Sequence, residues 1–181
     1  MKVNHYEKVD NSRIFTKFFM GNKHRAILEI PFLERLKGPT LCVIGQNPSA
    51  ACNQVADRTV RFLEKYLFEK KPEYSKMIML NLYSCVDTTK KETSNINHPQ
   101  CEIILREVIS KHQNFLFVVG KLKNQRAYKF KERIQELRHL FDKKNVFKFD
   151  IGTDYAPHPG NPKIHYSNID LNLVKYEFLD I

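Results

Sequence analysis

An α/β fold built on a parallel sheet is what this sequence predicts, on three observations. Four short apolar runs, at 41–44, 77–80, 115–119 and 146–149, each have the length of a buried strand. A segment with helical apolar spacing lies between each consecutive pair of them. Polar, Gly- or Pro-bearing turns close the runs, as at Gly45-Gln46-Asn47-Pro48-Ser49. Alternating strands and helices require right-handed crossovers, hence parallel strands covered on both sides. The expectation is a three-layer sandwich: a central four-stranded parallel sheet flanked by helices.

The elements follow in order. Residues 13–20 and 24–30 are rich in β-branched and aromatic side chains, and Gly21-Asn22 between them is turn chemistry. Residues 1–36 are therefore expected to form an N-terminal β-hairpin extension. Lys37-Gly38-Pro39 punctuates the chain before a first core strand at 40–44. Val60, Leu63, Tyr66 and Leu67 recur at helical spacing and predict a helix near 57–69, with Pro72 beyond it. A second strand, Met77-Ile78-Met79-Leu80, precedes a helix near 99–111 that has Pro99 in its first turn. The third strand is followed by a basic amphipathic helix over 125–141 and then by the fourth. With 181 residues and no internal repeat, 1–181 is expected to form one domain.

Lys and Arg outnumber Asp and Glu by 30 to 20, a net charge of +10 that favours a polyanionic partner such as nucleic acid. Ten basic residues between Lys121 and Lys148 face only Glu132, Glu136 and Asp142. That segment is either a phosphate-facing surface or a solvated helix face. The four cysteines have no close CxxC pairing, so no metal or other cofactor is suggested. No apolar signal core and no run of bilayer length is present, so a cytoplasmic location with reduced thiols and no membrane partner is expected. A monomer needing no protein partner is the simplest expectation.

Parallel sheets bind ligands at the carboxyl ends of their strands. Gln46-Asn47, Asn81, Gly120 and the His158-Pro159 turn should accordingly share one edge. This order of motifs resembles the uracil-DNA glycosylase superfamily. Gly45-Gln46-Asn47-Pro48-Ser49 is similar to that family's GQDPY or GINPG turn, and Met79-Leu80-Asn81 to its second motif. Val118-Val119-Gly120 is similar to the third, and His158-Pro159-Gly160-Asn161-Pro162 to its HPSP-like last loop. The resemblance spans roughly 40–165. A narrower likeness is to an uncharacterised prokaryotic and phage family with an LNPS…D.T.R signature, here Gln46-Asn47-Pro48-Ser49 with Asp57, Thr59 and Arg61.

The resemblance implies a monofunctional DNA glycosylase, in base-excision repair or in defence against modified foreign DNA. It would flip a pyrimidine from DNA and hydrolyse its N-glycosidic bond to leave an abasic site. Breaking that bond needs a placed water and donors aimed at the departing base. Asn47 would hold the water, and His158 would donate to the base oxygen as a neutral imidazole. Asn47 stands where the GQDPY pattern has Asp and is similar in this to the GINPG branch; an amide cannot act as a general base, so Asp57, Asp87 or Asp154 are candidate carboxylates. Gly45, Gln46, Pro48, Ser49, Asn81 and Tyr83 would bind the base, Asn81 through its Watson–Crick edge and Tyr83 by stacking. Ser49 stands where GQDPY enzymes have a bulky Tyr against C5, which would admit a C5-modified pyrimidine unless Tyr83 fills the space. Lys121, Lys123 and Lys163 would meet phosphates, with Ile164 as the apolar wedge. Against these stand plainer roles: Asn47 and Asn81 as turn caps, His158 as a structural residue, Lys163 and Ile164 as ordinary loop. A non-catalytic nucleic-acid-binding protein of this fold, or a hydrolase of free nucleosides or nucleotides, are the alternative functions.

Overall fold

The computed structural model describes residues 2–165 and 171–178. Its centre is strand β4 (Thr40–Gly45), with β1 (Lys2–Val3), β2 (Phe15–Phe19) and β3 (His24–Pro31) before it. Leu41, Cys42, Val43 and Ile44 are almost wholly buried, as expected of a strand covered on both faces. Beyond β4 the order is β5 (Ala56–Asp57), α1 (Arg58–Lys70), β6 (Lys76–Asn81), α2 (Pro99–Lys111) and β7 (Asn114–Phe117). The chain continues with α3 (Phe130–Leu137), β8 (Asn145–Phe149), α4 (Pro162–His165) and β9 (Leu173–Lys175).

This architecture corrects the expected four-stranded parallel sheet flanked by helices. A seven-stranded mixed sheet forms instead, in the order β2-β3-β6-β4-β7-β8-β9, with β1 and β5 in a separate two-stranded sheet. The four α-helices among the described residues are short, at most 13 residues. The pairs β6–β4, β4–β7 and β7–β8 are parallel, whereas β2–β3, β3–β6 and β8–β9 are antiparallel. The hairpin is no appended extension. Ala26, Ile27, Leu28 and Ile30 make β3 apolar on both faces, and pairing it along β6 buries all four. At the opposite side β9 covers β8, preventing that strand from being an open edge.

Alternation along the strands divides the core in two. Cys42, Ile44, Ile78, Leu80, Phe115 and Phe117 pack with Leu105 of α2 and Phe130 and Ile134 of α3. Leu41, Val43, Met77, Met79 and Leu116 pack with Val60, Leu63 and Leu67 of α1. The helix expected over 125–141 starts later, at Phe130, and ends in a 3-10 turn over Arg138–Phe141. Its first residues are held otherwise: Gln125 and Tyr128 form a β-bridge, and the buried Tyr128 hydroxyl donates to Asp87 at 3.0 Å. No helix among the described residues is long and apolar enough to cross a membrane.

The N-terminal segment is tied down by a buried charge. Glu64 of α1 is fully buried and meets His5 Nδ1 at 2.5 Å, while its other oxygen accepts from the Tyr6 N–H at 2.8 Å. His5 Nε2 reaches the Cys52 carbonyl at 2.8 Å, so both ring nitrogens face acceptors and the imidazolium form is favoured. Burial opposes that charge, but the Glu64 carboxylate outweighs it and raises the His5 pKa above 6.5.

Glu64→Ala is expected to cost about 3–5 kcal/mol, because it breaks a buried ion pair and leaves His5 Nδ1 and the Tyr6 N–H without their acceptor; urea unfolding measures this. A raised folded-state pKa contributes stability that is complete below the unfolded value near 6.5 and is lost as pH rises through the folded value. The stability difference between the wild type and His5→Gln should therefore shrink from acid to alkaline pH in thermal melts. An unchanging difference would contradict a charged His5.

Candidate functional site

Strands β6, β4, β7 and β8 run in one direction and so deliver their carboxyl ends to one edge, where Gly45 pairs with Asn81. A cavity of about 410 Å³ opens there, within the usual range for small-molecule sites of roughly 300–1,000 Å³. Gly45, Gln46, Asn47 and Ser49 line it from the β4 turn, Asn81 from β6, and Gly120 and His158 from the later loops. These are the motifs expected to share an edge.

The β4 turn is locked by side-chain bonds. Gln46 Nε2 donates to the Val119 carbonyl at 2.6 Å, which ties the end of β4 to the residues following β7. Ser49 Oγ accepts from the Ala51 N–H at 3.1 Å. Asn47 Nδ2 donates to the Cys85 carbonyl at 3.4 Å, leaving Asn47 Oδ1 buried without a partner. Asn81 has the complementary lack. Its Oδ1 accepts from Arg25 Nη2 at 3.2 Å, and its Nδ2 is the orphan. An unused acceptor and an unused donor thus belong to one cavity wall, where a ligand would satisfy both.

Gly45 is needed for this arrangement. A Cβ there would stand 2.8 Å from Asn81 Nδ2 and 3.0 Å from Met79 Cε. A side chain at Gly45 would push the Asn81 amide and the Met79 tip out of these positions.

His158 is oriented by its own loop. Its Nδ1 accepts from the Gly160 N–H at 3.0 Å, so the neutral ring carries its proton on Nε2, which lies 3.4 Å from Thr59 Oγ1. Crowding by surrounding protein lowers its pKa, Asp57 opposes that shift and Lys90 adds to it. His158 is therefore a neutral donor at neutral pH, although part of the ring remains open to solvent. The turn that carries it is anchored by the Gly120 N–H, which donates to the Ala156 carbonyl at 2.7 Å, with Gly120 at φ +65°. Asp57 also lines the cavity and caps α1 by accepting from the Val60 N–H at 2.7 Å through Oδ1. The Asp57, Thr59 and Arg61 pattern now has a physical reading. The first caps the helix, the second meets His158, and the third binds the carbonyls of Asn4 and His5.

Several expected contributors lie elsewhere. Tyr83 is buried edge-on against Tyr128 and Phe130 and bonds the Lys129 backbone, so it neither stacks in the cavity nor fills the space beside Ser49. Ile164 is buried in the core beside α1 and is not presented as a wedge. Pro48 is buried behind the turn rather than in the wall. Lys121 lines the cavity, but Lys123 and Lys163 are exposed outside it. Asp87 is engaged by Tyr128, Thr89 and Glu92, and Asp154 is exposed, which leaves Asp57 as the candidate carboxylate in the wall. Part of the basic segment is structural: Arg133 is buried between Glu102 and Glu136, and Lys144 holds the Ser110 and His112 carbonyls. Sequence reasoning missed Arg25 and Lys90, both in the wall. Neither lies in a recognisable motif, and a basic residue in an apolar strand was the one available signal for Arg25. Among the described residues, no group of three or more His, Cys, Asp or Glu is placed to hold a metal ion.

Gly45→Ala is expected to destabilise the protein by about 1–3 kcal/mol through overpacking and to displace the Asn81 amide. Chemical denaturation and a crystal structure of the variant would check both.

No curated protein and no solved structure matches the chain. The model of the family described as "Protein of unknown function (DUF1643)" matches residues 32–160, a span that contains the β4 turn, Asn81, Gly120 and His158, and the chain belongs to that family.

Proposed function

We propose that the protein is a monofunctional DNA glycosylase that accepts a flipped pyrimidine and hydrolyses its bond to deoxyribose. The observation that carries this reading is the pair of orphaned amide atoms, Asn47 Oδ1 and Asn81 Nδ2, in one cavity at the carboxyl edge of the sheet. Asn47 Oδ1 holds a water, and Asp57 supplies the carboxylate that draws its proton. The water oxygen bonds to C1′ as the C1′–N1 bond breaks and its electron pair leaves with the base. Asn81 Nδ2 and the neutral His158 Nε2–H donate to the base oxygens. Lys121 at the cavity and exposed cations such as Lys123 meet the DNA backbone in a salt-dependent manner. The four free cysteines fit work in the cytoplasm, and nothing in the mechanism requires a second subunit.

The position of Tyr83 outside the wall supports a base with a C5 substituent, since Ser49 is small and no Phe or Tyr among the lining residues replaces the missing bulk. Asn47 in place of an acid favours one other reading, a DNA-binding protein without catalysis, which the same assay distinguishes.

Purified protein incubated with duplex and single-stranded DNAs carrying uracil, thymine or C5-modified pyrimidines should release a base, read as alkali-labile abasic sites. Asn47→Ala and His158→Ala should each slow release by about 10²-fold or more. Unchanged rates in both variants would remove them from the mechanism, and DNA binding without release from any substrate would leave the non-catalytic reading. Ser49→Tyr should retain uracil release while losing release of C5-substituted bases.

A further inference from the structure

Strand β3 runs opposite to β6, so its first residues arrive at the edge where β4, β6 and β7 end. That direction brings Arg25 into the cavity wall, although it lies outside every motif and outside the family match. Arg25 is 3% exposed. A guanidinium has five N–H donors, and here Nη1 donates to the Ala51 carbonyl at 3.0 Å and Nη2 to Asn81 Oδ1 at 3.2 Å. Both acceptors are neutral, and Nε has no partner.

A buried cation normally has a carboxylate beside it, because the loss of water is otherwise uncompensated. Arg25 forms no ion pair with any described residue. Asp57 acts on it only through space and is already engaged as the cap of α1. Burial pulls the Arg25 pKa down to about 10, which still leaves it charged at neutral pH. Lys90 and Lys121 add positive charge to the same wall. Arg25 also decides which way Asn81 faces: by taking Oδ1 it leaves Nδ2, a donor, unused. The cavity therefore combines a guanidinium that forms no ion pair, with Asp57 acting on it only through space, and two orphan donors, Arg25 Nε and Asn81 Nδ2, an environment complementary to a planar anion.

We propose that Arg25 is the anion-stabilising residue of this cavity: with Asn81 Nδ2 it holds the negative charge that gathers on the base as its bond to the sugar breaks. The inference rests on the glycosylase reading for the identity of that anion. The electron pair of the C1′–N1 bond passes to the base and spreads over N1, the adjacent C2 carbonyl oxygen and, through the conjugated ring, the C4 substituent. The water oxygen forms the new bond to C1′, and its proton goes to Asp57 and then to solvent. The base leaves unprotonated, which is consistent with a neutral His158 that donates a hydrogen bond without transferring a proton.

Barbiturate, a planar pyrimidine that is already anionic at neutral pH, serves as a stand-in for the departing base, and uracil as its neutral counterpart. Calorimetry on the intact protein should give barbiturate at least tenfold tighter binding than uracil. Arg25→Gln should abolish that preference, and Arg25→Lys should retain part of it, a pattern that a purely structural role would not produce. Equal binding of the two compounds by the wild type, or binding of neither, overturns the proposal without any variant, so a folding defect in Arg25→Gln does not protect it. A preference that persists in a folded Arg25→Gln protein overturns it as well. An Arg25-dependent preference in a protein that releases no base from any DNA leaves the anion site standing and sinks the glycosylase reading. Base release without the preference does the opposite.

Discussion

The site hangs on the parallel seating of β4 between β6 and β7. Each residue from Leu41 to Ile44 pairs with both neighbouring strands, and these four side chains are shut away from water, so the strand is held in two ladders at once. That register sets Gly45 opposite Asn81 and Ile44 opposite Phe117. The amides of Asn47 and Asn81 are placed by these strand ends, whereas Arg25 arrives with the start of β3 and Asp57 and Thr59 with the start of α1. The missing Cβ of Gly45 is part of the same constraint, since it is the space into which the Asn81 amide fits.

The cavity is also where the protein departs from the rule that buried polar groups are satisfied. Among the described residues, three of the four buried side-chain atoms found without a partner belong to Arg25, Asn47 and Asn81. Leaving donors, an acceptor and a cation unmatched lowers stability, and native chains tolerate such losses mainly where a ligand offsets them. The rest of the chain compensates in ordinary ways. Two continuous cores cover the sheet, and the buried His5–Glu64 pair fastens the N-terminal segment against α1, next to the helix start that carries Asp57 and Thr59.

What was legible in the residues was the local pattern. The apolar run before Gly45, the turn that follows it, the helical spacing of Val60, Leu63 and Leu67, and the His158-Pro159 loop are short-range signals, because strand periodicity and turn chemistry act within a few residues. Tyr83 and Ile164 are ambiguous in the sequence for one reason: an aromatic or branched side chain near a polar motif looks equally suited to a ligand and to the core. Here packing against Tyr128 and Phe130, and beside α1, removes the ambiguity.

Local chemistry was enough to specify the strand ends and the amide and imidazole groups they carry, since those depend on neighbours along the chain. Long-range pairing alone selected where the N-terminal hairpin went. Nothing within residues 13–30 distinguishes an appended hairpin from one inserted beside β6, because the apolar face of β3 is satisfied only by a partner some 50 positions away, as in Leu28 opposite Met79. That choice, together with β9 added antiparallel to β8, made the sheet mixed, and the reversed direction of β3 carried Arg25 to the edge where the parallel strands end.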